Sequence, residues 1–194
     1  MTRDRTRFTG FQRLLHWVMA VCIIAMLFIG IGMVSTVRPD YLPLIATHKT
    51  LGVAIFVLAV IRLGTRLAYG APALPADLPP AMKLGARLSH YALYALMLGM
   101  PLIGYAMLST AAYPVVLYGD IRLPAILPQS DSLHTLLLAA HRALALAFFA
   151  LILLHIAAAL FHALVRRDGV FEAMAPVSLT HRSLTHRDKA APAE

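Results

Sequence analysis

Four apolar stretches constrain this chain more than any other feature: about 14–34, 47–67, 88–109 and 133–165. A helix needs roughly 20 apolar residues to cross the hydrocarbon layer of a bilayer, and each stretch meets that length. The fourth exceeds it and is expected to tilt or project beyond the lipid. Composition removes the competing reading. Hydrophobic residues make up 60% of the 194 residues and charged residues only 13%, whereas a soluble domain draws its outer shell from about a quarter charged residues. With lipid as solvent no such shell is needed, and helices satisfy their own backbone hydrogen bonds. The predicted fold is therefore all-α, an integral-membrane four-helix transmembrane bundle forming one domain over residues 1–172. A polar cytoplasmic tail, 173–194, is expected to be disordered. No signal-peptide cleavage pattern follows the first stretch, so it reads as a retained helix.

The connections differ in kind. Residues 35–46 read as a short loop with Pro39 and Pro43, and residues 110–132 as a longer one. Residues 68–87 contain Pro72, Pro75, Pro79 and Pro80, which predicts an extended, surface-lying segment. The tail repeats Ser-Leu-Thr-His-Arg at 178–182 and 183–187, and its His181 and His186 read as solvated. The formal charge is +8 and the pI about 10.2, a balance that suits nucleic acid or an anionic membrane surface. Its distribution decides. Of the 17 Lys and Arg residues, Arg38, Lys49, Arg122 and Arg142 fall on one side of the predicted bundle and the other 13 on the opposite side. The positive-inside rule then places both termini and the 68–87 loop in the cytoplasm. It also accounts for the pI without nucleic acid. Cys22 is the single cysteine, so no disulfide forms within the chain and no Cys-x-x-Cys-His attachment exists for covalent haem.

Seven of the nine histidines lie in or beside the apolar stretches, where ionisable side chains are costly and usually functional. The fourth helix carries His134, His141, His155 and His162, spaced by 7, 14 and 7 residues. Seven residues make almost two helical turns, so all four lie near one stripe. His141 and His155 are separated by about 21 Å along the axis, near opposite leaflets. Matching depths supply their partners. His16 starts the first helix inside, level with His155; His48 starts the second helix outside, level with His141. A lone membrane histidine is as easily a polar residue bonded to a carbonyl, and His90 and His134 are read that way. Two depth-matched pairs are read as ligands.

Two isolated histidines on facing helices suit a haem iron, which takes four equatorial nitrogens from the porphyrin and one or two axial ligands from the protein. Zinc wants three or four clustered ligands, and no membrane carboxylate stands near for a di-iron site. The expected cofactors are two haem b groups, with His16, His155, His48 and His141 as axial ligands. Bis-histidine ligation leaves no open position, which points to electron transfer. Arg62 and Arg66, one turn apart, are candidate propionate partners or headgroup anchors. His162 continues the stripe as a propionate or quinone contact, or as an interfacial histidine. Phe148 falls midway between the two levels, and Pro101 is expected to kink the third helix.

These residues resemble the bacterial cytochrome b561 family. The resemblance runs from Gln12 to about Pro176. It rests on His16-Trp17 after a basic N-terminus, on His48-Lys-Thr-Leu-Gly52, on Arg62 and Arg66, and on Ser89-His90-Tyr91. His141 with His155, and the ending from His155 to His162 and on to Arg166-Arg167-Asp168-Gly169, complete it. It implies a multi-pass dihaem protein of the bacterial inner membrane that exchanges electrons with ubiquinone. Some members are similar to superoxide oxidases, and the position of His162 is a candidate quinone contact. The expected activity is a superoxide:ubiquinone oxidoreductase, taking electrons from superoxide or another periplasmic donor drawn by Arg38, Lys49, Arg122 and Arg142. The second reading is a dihaem anchor subunit of a hydrogenase- or dehydrogenase-type complex. A non-redox bundle leaves the histidine pairs without a purpose.

Overall fold

A computed structural model describes residues 6–35, 41–118 and 120–176. The tandem repeat of the tail, with His181 and His186, lies outside the described residues, as does Arg38. Four long helices dominate: α1 Gly10–Ser35, α2 Tyr41–Tyr69, α3 Pro80–Thr110 and α4 Asp131–Phe161. Each contains an 18-residue window of mean hydropathy between 1.6 and 2.7, so all four are apolar enough to cross a membrane. Helix α4 continues into one π-helical turn, His162–Arg166, and a short helix α5 follows at Val170–Met174. The all-α class holds apart from a two-residue hairpin between α3 and α4, β1 Val115–Val116 and β2 Arg122–Leu123, paired Val115 to Leu123 and Val116 to Arg122.

The helices begin where capping chemistry allows. Thr9 and Gln12 form a capping box before α1: Gln12 N–H donates to Thr9 Oγ1 at 3.2 Å and Thr9 N–H donates to Gln12 Oε1 at 3.1 Å. Ser130 caps α4 by accepting from Leu133 N–H at 3.4 Å, with Asp131 in the first turn. The expectation of an extended segment over 68–87 is corrected. Only residues 70–79 are non-helical, because Pro79 precedes a helix with Pro80 in its first turn, where the missing N–H costs nothing. Helix α2 likewise accommodates Pro43 in its first turn and starts at Tyr41. Ordered chain also continues past residue 172, with Ala173 and Ala175 buried.

Helix α1 packs on α2 and α3 on α4, and α2–α3 contacts join the two hairpins. One residue from each helix meets at mid-depth: Met19, Ala59, Met97 and Phe148 form the central apolar cluster. Outward-facing Phe28 and Leu146 are 71% and 73% exposed, the surface of a bundle solvated by lipid. The first and last described segments meet at one end of the bundle. There Phe8 N–H donates to Ala173 O at 3.2 Å, Arg13 Nη1 to Ala175 O at 3.1 Å and Trp17 Nε1–H to Met174 O at 2.9 Å. We call this the terminal end and the opposite one the distal end. At the distal end the hairpin loop is pinned back onto the bundle: Tyr105 hydroxyl donates to Pro124 O, and Ile126 N–H donates to Ser109 Oγ at 3.2 Å.

Candidate functional site: two histidine pairs across the bundle

Two pairs of imidazoles face each other. At the terminal end the rings of His16 (α1) and His155 (α4) have centres 6.3 Å apart. At the distal end His48 (α2) and His141 (α4) are 6.2 Å apart. The pairing matches the depth argument from sequence. Its spacing bears on what lies between the rings. A metal–imidazole bond of about 2 Å, added to roughly 1.2 Å from ring centre to nitrogen and doubled, puts the ring centres about 6.4 Å apart across one metal. Among the described residues no three His, Cys, Asp or Glu side chains gather that could hold a metal by themselves. Two facing imidazoles at a level match the number of axial ligands a haem iron accepts. The Nδ1 atoms of His48 and His141 are buried without a hydrogen-bond partner in the structure. Gly104 on α3 lies so close to His141 that a Cβ there would stand 3.3 Å from Cε1 and 3.6 Å from Nδ1. A glycine backbone thus walls the distal ring. These features fit a haem at each level.

The other histidines are placed differently. His134 Nδ1 lies 3.0 Å from Met107 O, the carbonyl bond expected of a structural histidine. His90 on α3 has its ring centre 5.8 Å from that of His155, closer than His16 is. Sequence reasoning found no partner for it, although its position ten residues into a helix starting at the terminal end matches the depth of His155. His90 therefore stands at the level of the inner pair, on the third helix beside His155. Arg62 Nη1 donates to Gln12 O at 3.2 Å, one turn before His16 on α1, which leaves further guanidinium donors next to the inner pair. Arg66 lies 5.5 Å over the ring of Phe8. Phe148, expected midway between the levels, is buried in the central cluster.

Two sets of contacts at the site carried no sequence signal. The hairpin covers the first turns of α2: Tyr118 hydroxyl shares a 2.7 Å hydrogen bond with Thr47 Oγ1, and Tyr118 N–H donates to Thr50 Oγ1 at 3.1 Å. These contacts bracket His48. At the other end buried His162 meets Asp168, with Nδ1 at 2.8 Å from Oδ2 and 3.0 Å from Oδ1. Burial acts to raise the Asp168 carboxyl, but hydrogen bonds from Arg166, His162 and the Val170 N–H outweigh it and hold Asp168 below the usual carboxylate range. A depressed folded value means the contact's stability is complete above the ordinary Asp value of about 3.9 and is lost as pH falls through the folded value. Hydrogen exchange of peptide 162–176, corrected for the intrinsic rate, is expected to show constant protection from pH 7 to about 5 and a loss only below about 4. Loss of protection between pH 7 and 5 would assign that change to a group other than Asp168.

A helical membrane bundle with histidines facing in pairs across it has the architecture of a membrane cytochrome. The chain belongs to the prokaryotic cytochrome b561 family, whose sequence model matches residues 7–176. It is 26% identical over 175 residues to cytochrome b561 homolog 2 of Escherichia coli (strain K12), covering 89% of this chain and 93% of that protein. It is 29% identical over 174 residues to cytochrome b561 homolog 1 of the same organism, covering 88% and 97%. It is also similar, at 31% identity over 129 residues, to the probable superoxide oxidase CybB of Yersinia pestis, covering 66% of this chain and 73% of that protein. Membership implies haem b and electron transfer in a membrane.

Proposed function

We propose that this protein carries two b-type haems and passes electrons from a periplasmic donor to ubiquinone. The observation that carries the reading is the pair of ring separations, 6.3 Å for His16–His155 and 6.2 Å for His48–His141, each the spacing of two ligands on one iron. A bis-histidine haem supplies a one-electron couple with no open coordination position. The chain supplies the rest. His48 and His141 hold the outer site, and Gly104 and the Tyr118 contacts close around it. His16 and His155 hold the inner site, where Arg62 is suited to a propionate. The apolar layer of Met19, Ala59, Met97 and Phe148 keeps water from the interval between them. The charge bias of the loops supports an inner-membrane orientation with both termini cytoplasmic.

Superoxide is the donor class that this reading favours. The similarity to a probable superoxide oxidase supports it, and so does the basic character of Lys49, Arg122 and Arg142 at the distal end, which draws an anion toward the outer site. At the terminal end, buried His162 lies two turns beyond His155 on the same stripe, flanked by lipid-exposed Phe161, Leu164 and Val165. An apolar quinone reaches such a site from the bilayer. The test is a reduced-minus-oxidised spectrum of the purified protein with haem counted per chain. Two low-spin b-haems, reduced by superoxide and reoxidised by ubiquinone, are expected. Haems inert to superoxide would favour the anchor-subunit reading and a protein partner. Absence of haem would sink both.

A further inference from the structure

His48 stands nearer a helix start than its partner in the outer pair. It is the eighth residue of α2, whereas His141 is the eleventh of α4 and lies against the α3 backbone at Gly104. Helix ends open more readily than helix centres. Two sides steady this stretch of α2. The α1 side supplies packing: a Cβ on Gly30 would stand 3.9 Å from Cε1 of His48, and one on Gly32 would stand 3.4 Å from Leu44 Cδ1. The hairpin side supplies hydrogen bonds from Tyr118, 68 and 71 positions away in sequence. Thr47 Oγ1 donates to Pro43 O at 2.7 Å. A threonine hydroxyl has one hydrogen and a carbonyl only accepts, so the Tyr118 hydroxyl is the donor in its 2.7 Å contact with Thr47 Oγ1. Tyr118 N–H donates to Thr50 Oγ1 at 3.1 Å. One residue thus grips α2 on both sides of His48.

A tie is only as firm as its anchor. Here the anchor is the hairpin, held to α3 by the Tyr105 bond to Pro124 O and the Ile126 bond to Ser109 Oγ. Joining α3 to α4 needs only those bonds. The excursion to α2 adds contacts with a helix that this segment does not connect. We infer that Tyr118 is a positioning residue that keeps His48 on the outer iron, so that the outer haem stays closed to small ligands. The inference rests on the two-haem reading given above and adds a purpose for the hairpin. Superoxide that gives up one electron leaves as dioxygen, so the outer site meets dioxygen at each turnover, and an iron with a vacated axial position is open to it. Tyr118 acts through Thr47 and Thr50, by way of the first turns of α2.

The test uses the haem-loaded, dithionite-reduced protein in detergent, with carbon monoxide as the probe. At saturating carbon monoxide, the rate of the Soret change reads how often an axial histidine leaves its iron. The outer phase is the one that remains in His155→Ala. One hydrogen bond is worth about 5-fold in an opening equilibrium. Tyr118→Phe is therefore expected to speed the outer phase about 5-fold and to leave the inner phase as in the parent. In a Thr47→Val background Tyr118→Phe is expected to add nothing. Thr47→Ser, which keeps the hydroxyl, is expected to stay near the parent. Tyr113→Phe, at a 64% exposed tyrosine of the same segment, is expected to change neither phase. Hydrogen exchange of peptide 41–52 is expected to lose protection in Tyr118→Phe. Loss of that protection with an unchanged outer phase would overturn the proposal, because the tie then steadies the helix without reaching the ligand. No change in either readout would overturn it too, as would equal speeding of both phases, the mark of general loosening. Failure of the two-haem reading looks different: the parent then carries no outer haem to time, which overturns both.

Discussion

Replacement of His155 by alanine is expected to reduce the haem content from two to about one per chain, with the remaining haem in the outer site. His155 is one half of the inner pair, with its ring 6.3 Å from that of His16. A b-type haem has no covalent tie to the protein, so losing an axial ligand removes the bond that holds the inner group in place. His16→Ala is expected to act in the same direction, and His90→Ala is the discriminating comparison. His90 lies closer to His155, at 5.8 Å, and proximity alone would make it the ligand. The His16–His155 separation of 6.3 Å is the nearer of the two to the roughly 6.4 Å of rings sharing one iron, and His16 is the depth-matched partner. His90→Ala should therefore keep both haems. Pyridine haemochrome counts and low-temperature spectra of the three variants settle the matter. Loss of the inner haem in His90→Ala with retention in His16→Ala would transfer the ligand role to α3.

The pairing was legible because a helix converts residue number into depth. Given four spans and a topology, His16 must lie level with His155 and His48 with His141. His90 obeys the same arithmetic, since α3 also starts at the terminal end, but depth does not say which side of a helix faces inward. Helix centres were legible from apolarity, while their ends depended on proline. Pro79-Pro80 reads as a loop in sequence, yet it opens α3, because proline fits the first turn as well as it fits an extended chain. The Val115–Val116 and Arg122–Leu123 pairing had no signature, since strands of two residues have no period to detect. Nor did the return of Asp168 to His162. It depends on a π-helical turn and on left-handed Arg167, and only Gly169 hints at it. The residue that completes the histidine's environment is thus close in sequence but is brought there by backbone conformation.

Gly104→Val is expected to deplete the outer haem selectively, although Gly104 has no side chain to contribute. A Cβ at this position stands 3.3 Å from Cε1 of His141, closer than ordinary contact. A free imidazole could swing away by a few tenths of an ångström. A ring held through one nitrogen to an iron cannot, because the movement misdirects the bond. Disturbing the surroundings of a metal ligand typically costs about 10- to 100-fold in metal affinity or activity. Gly104→Ala is expected to weaken retention of the outer haem and shift its potential, and the two γ-methyls of valine are expected to empty the site while the inner haem stays bound. Gly99 on the same helix provides the control. A Cβ there meets nothing within 4 Å, so Gly99→Ala adds about 1 kcal/mol of helix propensity and is expected to leave both haems in place. Combining Gly104→Val with His141→Ala separates steric pressure on the ligand from general damage to the bundle. If the glycine acts through the ring, the double variant loses no more haem than His141→Ala alone. Full loading of both haems in Gly104→Val would mean that His141 is not held against α3 and that the outer iron takes its second ligand elsewhere.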